Sequence, residues 1–186
     1  MKQLLPAGLL ALGLAQGAAA IELTAIDPEK SSLSFVFHEM GVPITGHFKR
    51  FSAQLRFDPA QATKASAALD LDLASIDAGS DEANDEVVGP LWFNTKAYPQ
   101  ARFVASSVKA LGGNRFSLSG KLTIKGHTQP IEAPFTFTPE GGGGAFDGAF
   151  ALKRADFAIG EGMWADYGTV ANDIQIQFHL AASARK

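Results

Sequence analysis

Cysteine is absent from the 186 residues. That excludes disulfides, thiolate nucleophiles and thiolate metal sites, and it removes the acylated residue that a bacterial lipoprotein carries. Charge of one sign is missing too: 16 Lys and Arg stand against 19 Asp and Glu, for a net charge of −3. Proteins that track a phosphate backbone show a basic stripe, and no run of Lys or Arg stands out here, so nucleic acid is not an expected partner. The four His, at positions 38, 47, 127 and 179, lie scattered without the spacing of a metal-binding helix or hairpin, and no metal site is expected. Enzyme templates are missing as well. There is no nucleophile elbow, no phosphate-cradling glycine loop and no HExxH, and Gly160 to Gly162 lacks the pattern of a nucleotide fingerprint. No catalytic residue and no cofactor is assigned, and the chain is not expected to be an enzyme.

The start of the chain has a chemistry of its own. Lys2 supplies a positive charge, Leu4 to Leu14 are apolar apart from Pro6, Gly8 and Gly13, and Ala18-Ala19-Ala20 offers small residues ahead of Ile21. This is the pattern of a secretory signal peptide, and the apolar stretch is too short for a comfortable membrane span. Residues 1–20 are therefore expected to be a leader and residues 21–186 the exported domain. A domain of that length buries a full core without covalent staples.

Alternation with a period of two dominates the rest. Leu33, Phe35 and Phe37 are apolar at odd positions, followed by Phe51, Ala53, Leu55 and Phe57, and then by Leu69, Leu71 and Leu73. Phe116 to Ile124 alternates with Ser117, Ser119, Lys121 and Thr123; Ile131 to Phe137 and Ile174 to Leu180 repeat the rhythm. Each segment reads as a strand with one dry and one wet face. Gly112-Gly113-Asn114, Gly126-His127 and Gly141 to Gly144 mark hairpins. Only Ala78 to Tyr98 departs from alternation: Ser80 caps a short acidic helix, and Trp92 and Phe93 follow in a crossover expected to lie over one end of the fold. Strands dry on one face close into a barrel or stack as a sandwich. Their length favours closure, and the expectation is a single-domain, all-β, antiparallel eight-stranded barrel with a helical crossover. Its interior is either packed solid by the 14 Phe or wide enough for one slim ligand.

An ordered set of stretches resembles the YceI family of lipocalin-like proteins. These are Asp27 to Phe35, Gly46 to Phe57, Ser75 to Gly79, Trp92-Phe93-Asn94, Tyr98 to Phe103, Gly120 to Gly126, Arg154 to Gly160 and Val170 to Ile174. The resemblance implies a periplasmic lipocalin-like barrel whose apolar tunnel takes a polyisoprenoid chain or an isoprenoid quinone. Gly160 to Asp166 is similar to the subset found near b561-type membrane cytochromes, which implies a quinone or another redox-linked lipid as ligand and such a cytochrome as partner. On this reading Phe35, Phe37, Phe57 and Leu71 line the tunnel together with Phe93, Phe103, Phe116 and Leu122. Phe135, Phe150, Ile176 and Phe178 complete the lining. Arg154, which parity places on the dry face, is expected to contact a polar head group at the mouth, with Asp156 or Asp166 as its ionic partner. Trp92 and Trp164 flank that opening. The rival from another class is a solid sandwich or barrel serving as an interaction or stress-protection module.

Overall fold

Alternation is realised as antiparallel sheet in the computed structural model, which describes residues 22–184. The expected leader lies outside the described residues. Ten strands run β1 (Ala25–Glu39), β2 (Val42–Phe48), β3 (Phe51–Arg56), β4 (Ser66–Asp72), β5 (Ile76–Asp77), β6 (Gln100–Gly112), β7 (Arg115–Ile124), β8 (His127–Glu140), β9 (Gly143–Lys153) and β10 (Asp173–Ser183). They form one sheet in the order β3-β4-β6-β7-β8-β9-β10-β1-β2-β5. A sandwich would need two layers. One sheet that curls on itself replaces it.

The ends of that order meet. β2 pairs with β1 on one side and β5 on the other, and its continuation β3 pairs with β4. The expected count of eight is thus corrected to ten, because two strand paths are broken. Lys49-Arg50 interrupts the path of β2 and β3, and a 3-10 turn at Leu73–Ser75 interrupts that of β4 and β5. The two breaks are stitched to each other: Arg50 N–H donates to Ser75 Oγ at 2.9 Å, and Lys49 N–H to the Ser75 carbonyl at 3.2 Å. Isolated bends of this kind turn a corner in a barrel wall without orphaning backbone groups.

Closure has one thin panel. β1 pairs with β2 only as far as Ser34↔His47, and the next backbone pairing along this seam is the isolated bridge Leu23↔Phe57, just outside β1 and β3. On its other side β1 slips register against β10 between Asp27 and Ser32. Pro28, which has no N–H, sits in that slip, and Ser31 patches it by donating to the Asp27 carbonyl and accepting from Ala181 N–H.

At one end of the barrel the dry faces pack into an aromatic cluster. Phe57 meets Phe116, Phe137 and Phe146 at centroid distances of 5.3, 5.2 and 5.0 Å, edge-on in each case. Phe135 stacks on Phe116 at 5.2 Å, and Leu23, Ala62 and Val108 close the gaps. Edge-to-face rings of this kind pack densely. At the opposite end the crossover opens with α1 (Asp81–Val87), capped by Ser80 Oγ accepting from Ala83 N–H at 3.2 Å. It continues through Trp92 and Phe93 into β6.

Candidate functional site: an apolar lumen

Between the aromatic end and the crossover the barrel is hollow. The cavity has a volume of about 720 Å³, within the range of small-molecule sites. Phe35, Phe37, Leu71, Phe93, Phe103 and Leu122 face it, as do Phe150, Ile176 and Phe178. Phe103, Phe150 and Ile176 stay half-buried although parity turns them inward, because the lumen leaves part of each side chain uncovered.

Glycines make that room. A Cβ on Gly46 would lie 2.2 Å from Phe35 Cζ, one on Gly120 2.4 Å from Phe103 Cζ, and one on Gly148 2.3 Å from Phe178 Cζ. Each ring therefore lies along the wall, over a bare stretch of neighbouring backbone, rather than across the lumen.

Three expected lining residues are elsewhere. Phe57, Phe116 and Phe135 belong to the solid end, where they are at most 7% exposed. They share the parity of the lumen residues, and parity says nothing about height along the axis. The solid-core alternative thus holds for one end of the barrel and fails for the other.

The crossover end carries the polar groups. Arg154 is 2% exposed and heads a 3-10 turn at Arg154–Phe157. Its Nε–H donates to the Ala171 carbonyl at 3.1 Å, Nη1 to Ile159 and Gly160 at 2.8 and 2.9 Å, and Nη2 to Trp164 and Val170 at 2.7 and 2.8 Å. A guanidinium has five N–H groups, and all five are used. Trp92 and Tyr167 cover its faces with ring centroids 5.6 and 5.3 Å from Cζ. Among the described residues no carboxylate lies in ion-pair range. Desolvation lowers its pKa from the ordinary value, although an Arg stays charged regardless. The expected ion pair with Asp156 or Asp166 is therefore replaced by a cage of carbonyls, and no N–H is left for a head group. Arg154 borders the cavity as a clamp on its mouth segments.

Around this clamp the mouth is braced. Trp164 Nε1 donates to Glu86 Oε1 at 2.8 Å, tying its 3-10 turn (Gly162–Trp164) to α1. Trp92 and Trp164 stand 5.4 Å apart, and both line the cavity. Lys125 Nζ, 8% exposed, donates to the Ala158 carbonyl and to Glu161, each at 2.7 Å. That hydrogen bond, with the ammonium charge behind it, holds the Glu161 carboxyl below its usual range. Sequence reasoning missed the rim acids: Glu39, Glu82 and Glu86 all border the cavity. Those of α1 read as a solvated helix start, and only the topology brings Glu39 to the same cavity.

A curled antiparallel sheet with one filled end, an apolar lumen and a polar rim defines a lipocalin-like fold. The chain belongs to the YceI family, whose YceI-like domain matches residues 25–182. It is 31% identical over 140 residues to a UPF0312 protein of Pseudomonas putida, covering 72% of each chain. A UPF0312 protein of Azotobacter vinelandii is 26% identical over 172 residues, covering 89% of this chain and 88% of the relative. Among solved structures, Burkholderia cenocepacia BcnA superimposes with a TM-score of 0.83 at 45% identity, over 86% of this chain and 100% of that one. A polyisoprenoid binding domain from Saccharophagus degradans, implicated in plant cell wall breakdown, shares the fold with a TM-score of 0.66 at 17% identity. It covers 89% of this chain and 99% of the other.

Proposed function

We propose that this protein is a non-enzymatic carrier that holds one isoprenoid lipid, a polyprenyl chain or a prenylated quinone, in its lumen. The carrying observation is the 720 Å³ cavity walled by Phe and Leu, with a filled floor and a polar rim. Burial of each CH₂ contributes about 0.8 kcal/mol, so a tail inside such a wall binds without polar contacts. Similarity to a polyisoprenoid binding domain supports the same ligand class. The leader pattern at the start of the chain supports a periplasmic address. The resemblance of Gly160 to Asp166 to relatives near b561-type cytochromes supports a quinone, with a membrane cytochrome as the partner that exchanges electrons with it.

The test is mass spectrometry of an organic extract from protein purified without detergent. A prenyl lipid in about equimolar amount is expected. An empty extract from protein that also fails to take up added polyprenol overturns the proposal.

A further inference from the structure

Large apolar side chains left in water gather at the crossover end. Met40 and Met163 are 78 and 79% exposed, and Val42, Leu91 and Tyr167 are exposed beside them. Short contacts join the five into one patch. The Leu91 carbonyl accepts from Gly160 and Glu161 N–H, each at 2.9 Å, and a Cβ on Gly162 would lie 3.5 Å from Leu91 Cδ2. Tyr167 covers one face of the Arg154 guanidinium, which holds the Trp164 carbonyl next to Met163. Met40 N–H donates to the Thr169 carbonyl at 2.8 Å, and Val42 starts the second strand of the same hairpin. The Arg154 cage thus presents Met163 and Tyr167 on a fixed segment.

Met40 is the most telling of the five. It forms a two-residue turn with Gly41, at φ of +50° and +83°, where Asn-Gly is the ordinary choice. Lys125 has the same left-handed backbone, φ +50°, in the turn between β7 and β8, and its ammonium is used on Ala158 and Glu161. Met40 strains its backbone likewise and sets an apolar side chain in water. The patch also adjoins the opening of the lumen. Glu39, Ser80, Glu82 and Glu86 are exposed and border the cavity, so it opens between the end of β1 and α1. Met40 follows Glu39, and Met163 precedes Trp164, which lines the cavity.

We infer that this end docks on the surface of an uncharged lipid bilayer. Met40 and Met163 enter the acyl boundary, and Tyr167 sits at head-group level. Charges at this end are mostly carboxylates, Glu39, Glu82, Glu86, Glu161 and Asp166 among them, with Lys96 as an exposed cation. There is no basic cluster to draw the protein onto anionic lipid. The apolar tips stand on separate turns with carboxylates between them, which suits a fluid surface that leaves the charges wet. A second copy of the chain would have to desolvate those carboxylates against their own kind.

The chain has no cysteine, so Met40→Cys, Met163→Cys and Leu111→Cys each take a single environment-sensitive dye. When phosphatidylcholine vesicles are added to the whole protein, emission at positions 40 and 163 is expected to shift to the blue. At position 111, at the far end of β6, it stays unchanged. In flotation, the unlabelled Met40→Asn, Met163→Ser double variant is expected to bind these vesicles at least about tenfold more weakly than wild type. Asn suits the turn, so the double variant keeps native circular dichroism and melting, and raised salt leaves wild-type binding in place. Wild type that ignores phosphatidylcholine, binds only anionic vesicles, or binds as well without the two methionines overturns the docking surface. So does a dimer in sedimentation that the double variant dissolves. Vesicle binding by protein with an empty lumen leaves docking intact and the carrier reading failed; a lipid-loaded protein that never binds vesicles does the reverse.

Discussion

The Arg154 guanidinium occupies the space that a side chain at position 160 would need. A Cβ on Gly160 would lie 2.1 Å from Arg154 Nη1, at a residue whose φ is +75°. The buried cation and the bare, left-handed backbone beside it are thus two halves of one device.

Arg154→Ala is expected to destabilise the fold rather than merely loosen a ligand. Each buried acceptor left unpaired costs about 1–3 kcal/mol, so the loss should be at least about 3 kcal/mol. Gly160→Ala should destabilise as well, through clash and strain together. Denaturant unfolding of both variants checks this; an Arg154→Ala protein of wild-type stability would contradict the clamp.

Phe57→Ala and Phe103→Ala separate the filled end from the lumen. Phe57 is 2% exposed and ringed by other Phe, so its truncation should cost about 3–5 kcal/mol. Phe103 already borders empty space, and its truncation should cost clearly less while widening the lumen. Melting curves of the pair decide; equal losses would mean that the two ends are packed alike.

The thin panel of β1 should open first. Its stretch from Pro28 to Leu33 has no ladder to β3 and a register slip against β10. Amide exchange there is expected to outpace that in β7 and β8, which pair without a break from Arg115↔Thr136 to Ile124↔His127. Uniform protection around the barrel would contradict it.

Acid should loosen the mouth. Lys125 depresses the Glu161 pKa below its usual 4.5, so the stabilisation from this bridge is present above that pH and fades as pH falls through the lower, folded value. The stability difference between wild type and Glu161→Gln should be constant near neutrality and shrink below about pH 4.5. Unfolding midpoints measured across that range show whether it does.

Much of the fold was legible because a sheet with one dry face writes its period directly into the sequence. Phe116 to Ile124 and Ile174 to Leu180 gave strands, and Ser80 gave the helix cap. The breaks at Lys49-Arg50 and Leu73–Ser75 were missed: the inward parity flips at each, from Ile44 and Phe48 to Ala53 and Leu55 and from Leu71 and Leu73 to Ile76 and Ala78, but the hydrogen bonds that stitch them join residues about 25 apart. Position along the barrel axis was hidden for a similar reason, which is why Phe57, Phe116 and Phe135 were expected in the lumen. Parity placed Arg154 inside, but only the chain path shows that carbonyls from Ile159 to Ala171 converge on it.

The most direct test is native mass spectrometry of the protein mixed with a polyprenol, beside an Ala67→Phe variant that places an extra ring on the lumen wall. The wild type should carry one lipid per chain, and the variant, with native circular dichroism, should carry little or none. Lipid held equally by both, or by neither, would contradict a ligand seated in the lumen.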